Sequence, residues 1–298
     1  MGTTSLTVDR SDMADTAQPE RLADILVRQV TPQLPKPLPL PIRDVALACG
    51  ILEIRPLETD GFEGGLVQDE FKNRGYILVK AGRHETRSRF TIAHELGHFV
   101  NLRHTAPAGQ EQLLCTKEDM RSQGTPTDRR LGMEAQANEF AACVLMPKAI
   151  VAAQPFMQGS PEIARITALQ ALCDVSKEAA ARRYAALHGD DFAVVFSKDG
   201  KLVYAVRGGD FPYLDVQRGQ TLFRDTLTRT YAGAEQDVSD QEESDPAWWL
   251  SDRDRSRWNL WEEVLVQQDG YRMTLLVGEQ ADDPDTDAEE LSTPRFRR

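Results

Sequence analysis

Residues 91–100 read TIAHELGHFV, with two histidines four positions apart and a glutamate directly after the first. On an α-helix, positions i and i+4 lie about 40° apart around the axis and one turn apart along it. His94 and His98 can therefore aim both imidazoles at one ion. A neutral imidazole suits Zn2+ and fills two of its four tetrahedral positions. Glu95 reaches the edge of the same site, where a carboxylate can take a proton from water and pass it to a leaving amine. Ile92, Leu96 and Phe99 share an apolar face, so the stretch reads as a buried helix. Gly97 weakens that helix by about 1 kcal/mol relative to alanine. A close approach by another backbone, or room for a substrate, explains it. Two exposed histidines on a surface helix would leave it unexplained.

A catalytic zinc needs a third protein ligand and an open position. The extended pattern HExxHxxGxxH is not met, because Asn101 stands three residues beyond His98 and His104 stands six beyond it. A glutamate on a second helix is the alternative. EAQANEFAACVLMP (134–147) has a helical pattern that Pro147 ends. Glu134 opens it, and Ala137, Asn138 and Ala141 continue its face with small or polar residues that can lie against Gly97. Glu139 points off that face and is the weaker candidate. Glu134 would also serve as a favourable charge in a first helical turn. The residues alone leave both readings open.

The bulk properties bound the rest. The chain has 298 residues and a net charge of −12, from 35 basic and 47 acidic side chains. That length suits two domains, or one with an appendage. The charge does not suit a protein whose main partner is a phosphate backbone. No apolar run is long enough to cross a bilayer, and MGTTSLTVDRSDMADTAQPE lacks the apolar core of a secretory signal. Cys49, Cys115, Cys143 and Cys173 show no CxxC spacing and read as free, mostly buried thiols. The expectation is a reduced, cytoplasmic protein with no membrane partner.

Along the chain, residues 1–17 are polar and aperiodic and read as a disordered tail. PERLADILVRQV is helical, TPQLPKPLPLP an extended connector, IRDVALACG a short helix closed by Gly50, and ILEIRPL a strand. GGLVQDE and RGYILVK, around Lys72-Asn73, read as a hairpin or two sheet strands. Residues 105–130 are turn-rich and read as a long loop. Residues 160–188 give two helices, with Ser176 capping the second. Asp199-Gly200 and Asp269-Gly270 each separate two strand-like runs, so residues 190–280 read as a mainly antiparallel sheet domain. Trp248, Trp249, Trp258 and Trp261 crowd together there and read as core rather than as a binding site. Residues 281–298 read as an acidic disordered tail.

RSRFTIAHELGHF followed by EAQANEFAACVLMP resembles the ImmA/IrrE family of zinc-dependent metallopeptidases, over roughly residues 18–155. The resemblance includes the proline-flanked helix leading to a strand, the GGL and YILV strands, both helices and the LMP ending. It implies an α+β fold with a minimal zincin-like domain at 18–155, and a helix-turn-helix-like pair at 156–189 before the β-rich, sensor-like domain at 190–280. It carries zinc ligation onto His94, His98 and Glu134 and the general base onto Glu95, with Mn2+ an alternative metal in vitro. Zincins often use a His or Tyr donor from outside the motif, and His104, Tyr76 and Tyr184 are the candidates. The implied activity is cleavage of a helix-turn-helix repressor, as part of a stress or mobile-element response that regulates transcription. The 105–130 loop would form a lid or a substrate rim. Lys177, Arg182 and Arg183 on the second helix of the pair allow DNA contact, but three cations in so acidic a chain fit a packing module better. The competing reading is a non-proteolytic regulator that binds a repressor or DNA and has a structural or vestigial metal site.

Overall fold

The computed structural model describes residues 6–105, 112–116 and 128–281. The fold is α+β and divides into two compact units. One comprises residues 1–155 and 168–180, the other residues 156–167 and 181–298.

The first unit opens with α1 (Pro19–Val30), where Pro19 at the first turn needs no amide partner. Leu22, Leu26 and Val30 form its buried stripe. Residues 6–17, a tail by composition, are held against it. Met13 is buried, the Gln29 side chain donates to the Asp9 carbonyl, and Arg10 donates to the carbonyls of Cys49 and Lys72. One apolar side chain and a few polar anchors order the segment, and average polarity cannot show such contacts. Next come α2 (Ile42–Ala48), β1 (Ile51–Leu57), β2 (Gly64–Gln68) and β3 (Gly75–Lys80). Then follow α3 (Glu85–Val100), β4 (Gln112–Cys115), α4 (Arg129–Leu145) and α5 (Lys148–Ala152).

The sheet order is β1-β3-β2-β4. β1 runs parallel to β3, whereas β2 is antiparallel to both β3 and β4. Strand β4 lies inside the stretch read as a loop. Its four residues are too few to give a periodic signal, and its place in the sheet comes from pairing with β2. The rest of the proposed lid lies largely outside the described residues. Helix α3 packs on β2, β3 and α2, and on α4, which also packs on α1. Arg89 of α3 is buried and donates to the carbonyls of Leu40, Cys173 and Asp174, tying three separate segments to the helix.

Helices α6 (Ile163–Cys173) and α7 (Lys177–Leu187) follow, with Ser176 Oγ accepting from the Ala179 amide at 3.1 Å as the cap of α7. In the second unit the Arg182 guanidinium lies 5.5 Å over the Tyr204 ring. That sheet comprises β5 (Phe192–Lys198), β6 (Lys201–Gly208), β7 (Glu242–Ser244), β8 (Trp258–Val266) and β9 (Tyr271–Gln280). Their order is β6-β5-β9-β8-β7, all antiparallel. Asp199 and Gly200 have φ of 50° and 71°, and Asp269 and Gly270 have 55° and 76°. These left-handed pairs are what tight hairpins require. Trp249 and Trp258 sit in the core with Phe211 and Leu260. The acidic stretch before them supplies the edge strand β7. Its Ser244 hydroxyl and the Trp249 indole N–H both donate to the buried Glu262 carboxylate, at 2.5 and 2.7 Å.

Gly97 marks the point where α3 meets α4. A Cβ there would lie 2.9 Å from Phe140 Cδ1 and 3.3 Å from Phe140 Cβ. The glycine makes room for an aromatic side chain, neither a backbone nor a substrate. Gly97→Ala should therefore destabilise the fold by about 1–2 kcal/mol, since overpacking outweighs alanine's helical advantage. Chemical denaturation checks this, and an unchanged or higher midpoint would contradict it.

Candidate metal centre

Helix α3 brings His94 and His98 to one side of its last two turns. His84 caps the helix at the other end, accepting from the Thr86 amide. Helix α4 begins earlier than its apolar pattern indicates, because Asp128 caps it by accepting from the amides of Arg130 and Leu131. Glu134 consequently lies beyond the first turn. The dipole explanation for its charge thus loses its basis, and its partners are the two histidines instead.

His94 Nε2 lies 3.1 Å from Glu134 Oε2, and His98 Nε2 lies 3.4 Å from the same oxygen. The two Nε2 atoms are 3.2 Å apart. All three side chains are at most 2% exposed. A fourth residue joins them. Cys115 Sγ is 3.8 Å from His98 Nε2 and 3.9 Å from Glu134 Oε1. One donor atom from each of His94, His98, Cys115 and Glu134 falls within 4.8 Å of the others. The sequence offered only one faint signal for Cys115, the two-residue period in LLC. Leu113 and Cys115 are buried and Leu114 is exposed, so β4 turns the thiol inward opposite Gly64.

The outer nitrogens are also held. His94 Nδ1 meets Asn138 Oδ1 at 2.9 Å. An amide oxygen only accepts, so the ring N–H is on Nδ1 and Nε2 keeps a free lone pair for the cluster. His98 Nδ1 meets His104 Nδ1 at 3.0 Å, and His104 Nε2 meets Gln136 Oε1 at 2.9 Å. Asn101 Nδ2 also lies 3.0 Å from His104 Nε2, so contacts at both of its nitrogens hold the His104 ring behind His98. Lys72, itself buried, donates to the carbonyls of His98 and Asn101 at 2.7 and 2.8 Å and so closes the end of α3.

Burial and the neighbouring charges keep the cluster in a ligating state. Burial lowers His98 to about 4, its neutral form at ordinary pH. Burial also lowers His104, to about 3. Glu134 is buried, which opposes ionisation, yet its close contacts with His94 and His98 hold its carboxyl well below the usual range. Two imidazoles, a carboxylate and a thiol form a donor set that suits a borderline-soft divalent ion such as zinc.

Glu95 is fully buried in the same turn as His94. The three candidate donors separate. His104 reaches the centre but stands behind His98 as its orienting partner. Tyr76 is 41% exposed on β3, whereas its neighbour Ile77 is buried, which places Tyr76 on the outer face of the sheet. Tyr184 belongs to the second unit, where it stacks on His188 at 4.8 Å. All four cysteines are free and buried. No helix among the described residues is long and apolar enough to cross a membrane.

Loss of the Asn138 amide should leave the fold intact and weaken zinc binding about 10–100-fold. Competition titration of Asn138→Ala against a chelator measures this. Affinity equal to wild type would show that the hydrogen bond does not orient His94.

Among solved structures, a Mycobacterium tuberculosis transcriptional regulator is similar, with a TM-score of 0.50 and 12% identity over 95% of this chain and 82% of that one. At that identity the likeness speaks to the fold alone. No curated protein matches. The family model described as the IrrE N-terminal-like domain, Peptidase_M78, matches residues 52–184, a span that contains all four clustered side chains. Residues 52–184 are thus similar to the IrrE N-terminal-like domain.

Proposed function

We propose that this protein is a zinc-dependent endopeptidase that cuts a peptide bond in a protein substrate. The observation that carries the reading is the buried meeting of His94 and His98 from α3 with Glu134 from α4, with Glu95 in the same turn. Bound there, zinc would act as a Lewis acid on the peptide carbonyl and raise the acidity of water. His94, His98 and Glu134 would hold it. Asn138 and His104 fix the two rings, so no reorientation is needed when the metal binds. Glu95 takes a proton from the attacking water and delivers it to the departing amine nitrogen. Its burial excludes competing solvent and strengthens the hydrogen bonds it makes during that transfer. Manganese is an alternative metal in vitro.

The substrate we infer is a helix-turn-helix transcriptional repressor, whose cleavage would relieve repression of stress or mobile-element genes. This part rests on the family resemblance of the two helices. A second reading, a regulator with a structural metal site, draws support from Cys115, because four protein donors make a closed site. A buried base beside the ligands favours the first reading, since a structural site has no use for one.

The test is incubation of the zinc-loaded protein with the helix-turn-helix repressor encoded nearest its gene. Wild type should release a discrete fragment. Glu95→Gln should bind one metal per chain and lose about 100-fold or more of the cleavage rate. Cleavage by that variant at the wild-type rate would sink the mechanism.

A further inference from the structure

The proposed peptidase leaves Cys115 unused, although its sulfur lies among the ligand atoms. A tetrahedral zinc with bonds of about 2.0–2.1 Å to nitrogen and about 2.3 Å to sulfur separates two nitrogens by about 3.3 Å and a nitrogen from a sulfur by about 3.6 Å. The separations here are 3.2 Å between the two histidine nitrogens and 3.1 and 3.4 Å from these to the Glu134 oxygen. From Cys115 Sγ they are 3.8 Å to His98 Nε2 and 3.9 Å to Oε1 of Glu134, the carboxylate oxygen that the histidines do not touch. Three contacts match the edges of the tetrahedron, and the sulfur contact to His98 exceeds its edge by about 0.2 Å. The sulfur thus lies near the corner that a hydrolytic site keeps open for water.

We propose that Cys115 is the fourth protein ligand and that it holds the peptidase in a latent state. The inference rests on the endopeptidase reading and adds its regulation. With Cys115 in place all four positions belong to the protein, and neither water nor substrate has one. On release the sulfur takes up one proton and its position falls vacant. Strand geometry makes this economical. Cys115 ends the four-residue strand β4, which among the described residues pairs with β2 alone, so the thiol can withdraw without breaking a strand pairing on its other side. The other three ligands stay where Gly97 and Phe140 hold them.

Three measurements on the full chain test this. X-ray absorption of the zinc-loaded wild type should show one sulfur at about 2.3 Å beside nitrogen and oxygen neighbours. A shell of nitrogen and oxygen alone would overturn the proposal, whatever the protein cleaves. The cobalt-substituted wild type should show a near-ultraviolet thiolate charge-transfer band. Cys115→Ala should lose that band and still bind one cobalt. The probe for the vacant position is acetohydroxamate, which displaces water from metals. If the thiol is released in about a tenth of molecules, wild type should bind the probe about tenfold more weakly than Cys115→Ala, read from the visible cobalt spectrum. Equal affinities would overturn the latent state. If Cys115→Ala does not fold, the absorption measurement on wild type still decides the ligand. Because these readouts follow ligation and not cleavage, a zinc–sulfur bond in wild type together with a Cys115→Ala variant that binds metal but cuts nothing would refute the endopeptidase reading alone.

Discussion

The contact between Gly97 of α3 and Phe140 of α4 sets the geometry on which the rest of the site depends. Two helices whose side chains meet normally keep their axes about 8–10 Å apart. The missing Cβ lets the Phe140 ring lie where a larger residue would push the helices away from each other. At the resulting spacing a glutamate on one helix reaches two histidines on the other without extending past them. The helix penalty of a glycine, about 1 kcal/mol, is offset by packing that also serves the ligands.

Around that contact the protein spends a good deal of polar chemistry on orientation. Each histidine uses its inner nitrogen for the cluster and its outer nitrogen for a partner on α4 or just beyond α3. The closing of α3 by a buried lysine and its fastening by a buried arginine belong to the same scheme. Buried polar groups carry a large desolvation cost unless they are satisfied. Here most are satisfied by groups that also aim the ligands, so rigidity and ligation come from one set of bonds.

Much of this was legible in the residues. The i, i+4 histidines, the glutamate between them, the Asp-Gly hairpins and the core tryptophans follow from local periodicity and turn chemistry. The residues alone left Glu134 between a ligand and a first-turn charge, and only the resemblance made it a ligand. Only the cap at Asp128 shows that it lies past the first turn. The strand carrying Cys115 was hidden because four residues make no pattern and its partner, β2, is far away in sequence. His104 was read as a candidate transition-state donor, and it lies against Nδ1 of His98, the nitrogen that faces away from Glu134. Sequence spacing gives a residue's type and reach, and the contact with Gln136 depends on folding that spacing does not encode. Residues 6–17 illustrate the converse, since a polar stretch is ordered by a single buried methionine and a few hydrogen bonds.

The central claim is that α3 and α4 together hold one divalent metal ion. Anomalous scattering at the zinc edge, from crystals of the zinc-loaded protein, tests it most directly. The account predicts one strong peak per chain within about 2.0–2.2 Å of the Nε2 atoms of His94 and His98 and a Glu134 oxygen. A map with no peak there, or with its peak at other residues, would contradict it.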